Sequence, residues 1–174
     1  MKRIESFSPR LMVDGAGRCS PTVEGQEWHR FLKGDTLGWL LEPSNPAVRR
    51  QALLDLLDLP LDSPLVKEAE SDIARMPLVL YILGRHNRKG LWGDSLDFYT
   101  PKHHSTFWVL CVLADLGVSA DSVEMRTAID YMLSHQGTDG AFRRTQPSAR
   151  SAADRPLPCT QARILRFLVQ FGYA

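Results

Sequence analysis

The sequence predicts an all-α chain built as two layers of helical hairpins, and three observations carry this. Apolar residues recur at three- and four-residue steps through most of the chain after residue 36. Two stretches repeat in the same order at nearly the same offset. One predicted helix, "TFWVLCVLA" (106–114), is apolar on every side while its neighbours are amphipathic, so it must be covered on most sides. At 174 residues the chain has the length of one domain and enough material for a core.

The repeat shows when "YILGRHNRKGLW" (81–92) is laid over "YMLSHQGTDGAF" (131–142): at an offset of 50, Tyr81 meets Tyr131, Leu83 meets Leu133, Gly90 meets Gly140 and Trp92 meets Phe142. The next segment of each copy repeats at an offset of 55, where Pro101 meets Pro156, His104 meets Cys159, Leu110 meets Leu165, Leu113 meets Leu168 and Gly117 meets Gly172. The extra residues fall in "RRTQPSARSAADR" (143–155), which reads as a long loop. Each unit pairs an amphipathic first helix with a second helix of different character. The first helix of one unit spans 121–134, with Val123, Ile129, Met132 and Leu133 on its apolar side. Its counterpart spans 65–84, with Val66, Ala69, Ile73 and Leu80 inward and a kink or restart at Pro77, which lacks an amide donor. The last helix, 160–171, sets an apolar stripe of Ile164, Leu165, Leu168 and Phe171 against a polar stripe of Arg163, Arg166 and Gln170, which meets solvent or a wet cavity. A degenerate unit precedes these: a short apolar piece, a Pro-Ser-Asn-Pro breaker, and a helix over 46–58 capped by Ser44 or Asn45 with Pro46 in its first turn. Residues 1–35 have no clear period and read as an arm or loop in which Trp28, Phe31 and Leu32 pack as a short helix; 36–174 form the repeat domain.

Composition excludes several classes. With 21 basic and 20 acidic residues in close mixture, the chain lacks the basic excess of a nucleic-acid surface. No stretch has the roughly 18–20 consecutive apolar residues of a membrane span, and the first residues hold no apolar core of a secretory signal. Three widely spaced cysteines, Cys19, Cys111 and Cys159, make a poor disulfide framework and fit a reducing, cytoplasmic setting. Cys111, inside the apolar helix, reads as an inert core thiol.

"QGTDGAF" and its partner "HNRKGLW" resemble the QW-type repeat of the terpene cyclase and protein prenyltransferase superfamily, through Gln136, Asp139, Gly140 and Phe142, with His86 where the first copy would carry its glutamine. The runs "WLLEPSNPAVRRQALLDLLDLP" and "GLWGDSLDFYTPKHHSTFWVLCVLADLG" are similar to uncharacterised bacterial prenyltransferase-like proteins. The resemblance covers residues 37–173 and implies an α/α toroid, inner helices ringed by outer ones. Such toroids close with five or more hairpins, and about three are counted here. The expectation is therefore an incomplete or open arc that self-associates or continues in a longer chain. The turn itself reads as a structural joint, with Gly90 and Gly140 reversing the chain where a Cβ would obstruct it.

The resemblance also frames the chemistry. The acid-rich motif with which its cyclases protonate an alkene is absent, since "DLLDLPLD" spaces its acids differently. Its protein prenyltransferases hold zinc through Asp, Cys and His to activate a thiolate. "DFYTPKHH" resembles their histidine-bearing segment, which makes Asp97, His104 and Cys159 the candidate metal ligands, with His103 beside them, although the Asp-x-Cys element is missing. Against this stands the plainer reading of histidines at helix starts, solvated or bonded to the turn. For an apolar or isoprenoid-like ligand the candidate contacts are Tyr99, His104 and Trp108, with Arg163 and Arg166 as anion partners if they face a cavity. Phe107 and Trp108 read equally as core. The function expected is a prenyltransferase-like or terpene cyclase-like repeat domain that binds such a ligand without a complete catalytic set. The alternatives are metal-assisted prenyl transfer, and a HEAT-like protein-binding scaffold suggested by "NPAVRRQALLDLLD".

Overall fold

A computed structural model describes residues 33–93, 97–144 and 155–173 in full and the backbone of 10–13 and 19–22. The expected helix at Trp28–Leu32 and most of the expected 143–155 loop lie outside the described residues. Among the described residues seven helices make up nearly all the regular structure, as the periodicity predicts. The exception is a two-stranded antiparallel pair within the first 35 residues, β1 (Arg10–Val13) and β2 (Cys19–Thr22), in register Arg10↔Thr22 to Val13↔Cys19. Four-residue strands are too short for a two-residue alternation to stand out in the sequence. The chain divides into two compact units, residues 1–72 and 73–174.

The first unit holds α1 (Thr36–Leu40), α2 (Pro46–Asp55) and most of α3 (Pro64–Arg75). Asp35 caps α1 by accepting the Gly38 N–H at 2.9 Å. Pro46 opens α2, where its missing amide costs nothing; Asn45 is the cap position but its side chain makes no capping bond. Leu37, Leu41, Ala52, Leu53, Leu57, Leu59, Val66 and Ala69 form one core cluster. At its margin Arg49 bonds Glu68 at 2.9 Å, and Glu70 receives Arg50 at 3.0 Å and Lys67 at 2.9 Å. Burial pushes the Glu70 carboxyl up, but these hydrogen bonds and charges outweigh it and leave the group below its ordinary range.

In the second unit the proline restart occurs as expected. Helix α3 stops at Arg75, Met76 takes an extended conformation, and α4 (Pro77–Leu83) begins anew. The restart resets the helical phase, so Val79 is buried and Leu80, expected inward, is exposed. After α5 (Thr106–Asp115) come α6 (Val123–Leu133), capped by Ser122 through the Met125 N–H at 3.2 Å, and α7 (Pro158–Gln170). Two further side chains fall on the other side from that expected. Val123 lies opposite the buried Met125, Ala128, Ile129 and Met132 of α6, about half a turn away at about 100° per residue. Leu165 lies outside the seam formed by Ile164, Phe167, Leu168 and Phe171 on α7, where Phe167 takes the place expected for it.

The repeat is present as hydrogen bonds. After α4, Gly84 N–H reaches Leu80 O and Arg85 N–H reaches Ile82 O; after α6, Ser134 reaches Asp130 and His135 reaches Met132. Asn87 N–H then bonds Leu91 O at 2.7 Å and Gly90 N–H bonds Asn87 O at 2.9 Å, matched by Gly137 to Ala141 and Gly140 to Gly137, both at 2.9 Å. Gly90 and Gly140 sit at φ +73° and +78°, a left-handed conformation that favours glycine. The buried aromatics Trp92 and Phe142 come next in the chain. Each has both backbone groups clamped by one side chain from the first turn of the next helix. Thr106 Oγ1 accepts the Trp92 N–H at 3.1 Å and donates to Trp92 O at 2.9 Å. Gln161 Oε1 accepts the Phe142 N–H at 2.8 Å while its Nε2 donates to Phe142 O at 2.7 Å. Thr106 and Gln161 are 55 residues apart, the offset of the second half of the repeat. The ends of α5 and α7 also match, through Val118 N–H to Leu113 O at 3.0 Å and Tyr173 N–H to Leu168 O at 2.9 Å. Gly117 and Gly172 in each turn are left-handed, as the helix-terminating Schellman motif requires.

Candidate functional site

The richest chemistry in the second unit gathers where the chain enters α5. Asp97 folds its side chain back to accept the Tyr99 N–H at 2.8 Å, a turn that presents the Tyr99 ring. Tyr99 stacks on Phe107 with centroids 5.5 Å apart and leans on Trp108 at 5.2 Å. The Trp108 indole N–H donates to Tyr99 O at 3.1 Å, fixing the ring against the entering strand of chain. On its other contacts Trp108 meets the His103 ring at 4.8 Å and the Lys102 ammonium at 5.8 Å. Phe107 and Phe98 are fully buried, whereas Tyr99 and Trp108 are half-buried. The result is an aromatic wall at the first turn of α5, rooted in the core and open on one side.

Its rim carries an ion pair. Arg144 reaches back 47 residues to pair with both Asp97 carboxylate oxygens and to bond Thr100, and its guanidinium lies 5.0 Å over the Tyr99 ring. Burial pushes the Asp97 carboxyl up, but the hydrogen bonds from Arg144, the Tyr99 N–H and Thr100, together with the Arg144 charge, hold it below its usual value. His103 has φ +68°, a left-handed conformation uncommon for residues other than glycine, and its ring packs on Trp108. Behind the wall, His135 is fully buried with Nδ1 3.0 Å from Arg143 O. A carbonyl only accepts, so that nitrogen carries the proton. Its ring edges onto Phe98 at 5.1 Å and Tyr131 at 4.7 Å.

The structure brings together two of the sequence-predicted ligand contacts, Tyr99 and Trp108, and separates the others. His104 is exposed in the turn before α5. Arg163 and Arg166 lie at the far end of α5, where they pair with Asp115 at 3.6 and 2.9 Å and remain about half exposed. Trp108 and Asp115 are seven residues apart on one helix, or roughly 10 Å along its axis, so these arginines do not rim the wall. Among the described residues no group of three His, Cys, Asp or Glu side chains is placed to hold a metal ion. The set Asp97, His104 and Cys159 is therefore not assembled: Asp97 is taken by Arg144, and His104 and Cys159 stand exposed at the starts of two different helices. Cys111 is buried on α5, where desolvation pushes its thiol up to about 11, so it stays protonated and unreactive near neutrality.

Sequence reasoning misses Arg144, Lys102 and His135 as parts of this region. Arg144 gives no signal by spacing, because its partner is 47 residues away across a long connection. Among the described residues no helix is long and apolar enough to cross a membrane. Set against models of protein families, curated proteins and solved structures, the chain matches none.

Proposed function

We propose that the chain is a helical repeat domain of the prenyltransferase and terpene cyclase kind that binds an apolar, isoprenoid-like molecule against the wall of Tyr99 and Trp108. The observation that carries this reading is the half-open aromatic wall at the start of α5, with Lys102 and Arg144 at its edge. Exposed aromatic faces rooted in a packed core offer large contact area at little cost in side-chain freedom, and an unsaturated chain fits them by dispersion and stacking. The Lys102 ammonium at the edge suits a molecule with a polar or anionic end. Binding is what is proposed, because the wall of Tyr99 and Trp108 supplies contact area for such a molecule. Calorimetric titration with farnesol and with farnesyl diphosphate tests it. Saturable binding of at least one is expected, weakened about tenfold in Trp108→Leu, which corresponds to about 1.4 kcal/mol. No saturable binding, or unchanged binding in a Trp108→Leu protein whose circular dichroism is intact, would overturn the proposal.

A further inference from the structure

Helix α7 repeats α5, yet the two meet very different surroundings. On α5, Phe107, Cys111 and Asp115 stand four residues apart and form the stripe that meets α7. Phe107 and Phe167 have ring centroids 6.4 Å apart, Asp115 pairs with Arg163 and Arg166, and Cys111 feels both arginine charges. Leu110 and Ala114 beside this stripe are 0% and 4% exposed. The positions of α7 at an offset of 55 are Ala162, Arg166 and Gln170, with Leu165 and Val169 beside them. Here Leu165 is 64% exposed and Val169 52%. The face that receives a helix on α5 is thus bare on α7, with Ala162, Leu165 and Val169 in the three- and four-residue steps of a helix-packing seam.

The charges on the two faces are reversed. The α5 face offers a carboxylate, Asp115, to the arginines of α7. At the equivalent places α7 carries Arg166 where α5 has Cys111, and Gln170 where α5 has Asp115. From Arg155 to Tyr173 there is no acidic residue, and a single carboxylate serves two half-exposed guanidinium groups. A second α7 laid on this face would set arginine against arginine. We propose that the outward face of α7 is a docking surface for an amphipathic helix whose apolar stripe is flanked by carboxylates, carried by a partner other than a copy of this chain. The apolar seam supplies burial and the surplus arginine charge selects the partner's sign. This inference is independent of the aromatic wall, which lies at the opposite end of α5.

The test uses two synthetic helical peptides that share leucines at i, i+3, i+4 and i+7, one flanked by glutamates and its twin by lysines. Fluorescence anisotropy would follow each with the full chain at low and high salt. The glutamate peptide is expected to bind at least about tenfold more tightly at low salt, and the gap should narrow as salt screens the arginines. Leu165→Ser with Val169→Ser should abolish binding without changing circular dichroism, because both side chains are exposed. Arg166→Gln should shrink the preference between the twins. Equal affinity for both peptides, or binding indifferent to the double substitution, would overturn the proposal. So would a dimer in sedimentation that the double substitution splits, which would give the face to a second copy.

Discussion

The turn after α4 and the turn after α6 share four backbone hydrogen bonds at an offset of 50, while most of their side chains differ. In the first, Asn87 stitches the loop, its Oδ1 accepting the Lys89 and Leu91 amides at 2.8 and 3.2 Å. In the second, Asp139 accepts the Ala141 amide at 3.2 Å and is gripped by Arg143 at 2.6 Å, while Gln136 donates to Gly140 O at 3.1 Å. The clamps differ as well, a hydroxyl in one copy and a carboxamide in the other. What stays the same is what the backbone demands: a residue at positive φ, a buried aromatic, and a side chain that satisfies both of that aromatic's backbone groups. A buried amide or carbonyl left without a partner costs about 1–3 kcal/mol, so the clamp position must carry a group that both donates and accepts.

The clamps carry the largest expected effect. Thr106 is buried and is held between two backbone groups of Trp92, so Thr106→Val, which keeps the shape, should lower stability by about 2–4 kcal/mol in urea unfolding. The glycines separate the two turns. An alanine at 90 would meet Thr127 Cγ2 at 2.9 Å as well as the positive-φ cost, whereas one at 140 would meet nothing within 4 Å. Gly140→Ala should therefore cost about 1 kcal/mol and Gly90→Ala about twice that, read from melting curves. The smallest effect is electrostatic. Asp97 has a depressed carboxyl, so its contribution is fully present above the unfolded value of about 3.9 and is lost as pH falls through the folded one. Arg144 is partly exposed, which limits the loss to under about 1 kcal/mol. Arg144→Gln should lower stability at neutral pH by under about 1 kcal/mol and flatten the acid limb, the two proteins converging as pH falls through the folded Asp97 value.

The joints are legible in the sequence because turn glycines and a succeeding aromatic are local requirements that leave fixed spacings. Helix limits are legible for the same reason, with proline marking the starts of α2, α3, α4 and α7. The faces are less so. Apolarity alone places Leu80, Val123 and Leu165 inward, while the phase of each helix is set by a restart, a cap or a neighbouring seam. The clamp escapes notice because Thr106 and Gln161 align but look unrelated; only their shared ability to donate and accept connects them. At the candidate site, Tyr99 and Trp108 are readable as an aromatic pair near a helix start. Arg144 is not, because what ties it to Asp97 is tertiary. Nor does spacing reveal that His104 and Cys159, equivalent in the repeat, both end exposed.

One device, used twice, locks Trp92 and Phe142. Amide hydrogen exchange at these two residues tests it most directly, in the native chain and in Thr106→Val and Gln161→Leu. Strong protection at both amides is predicted in the native chain, with each substitution releasing mainly the amide of its own copy. Exchange at loop-like rates in the native protein, or equal loss at both amides from either substitution, would contradict it.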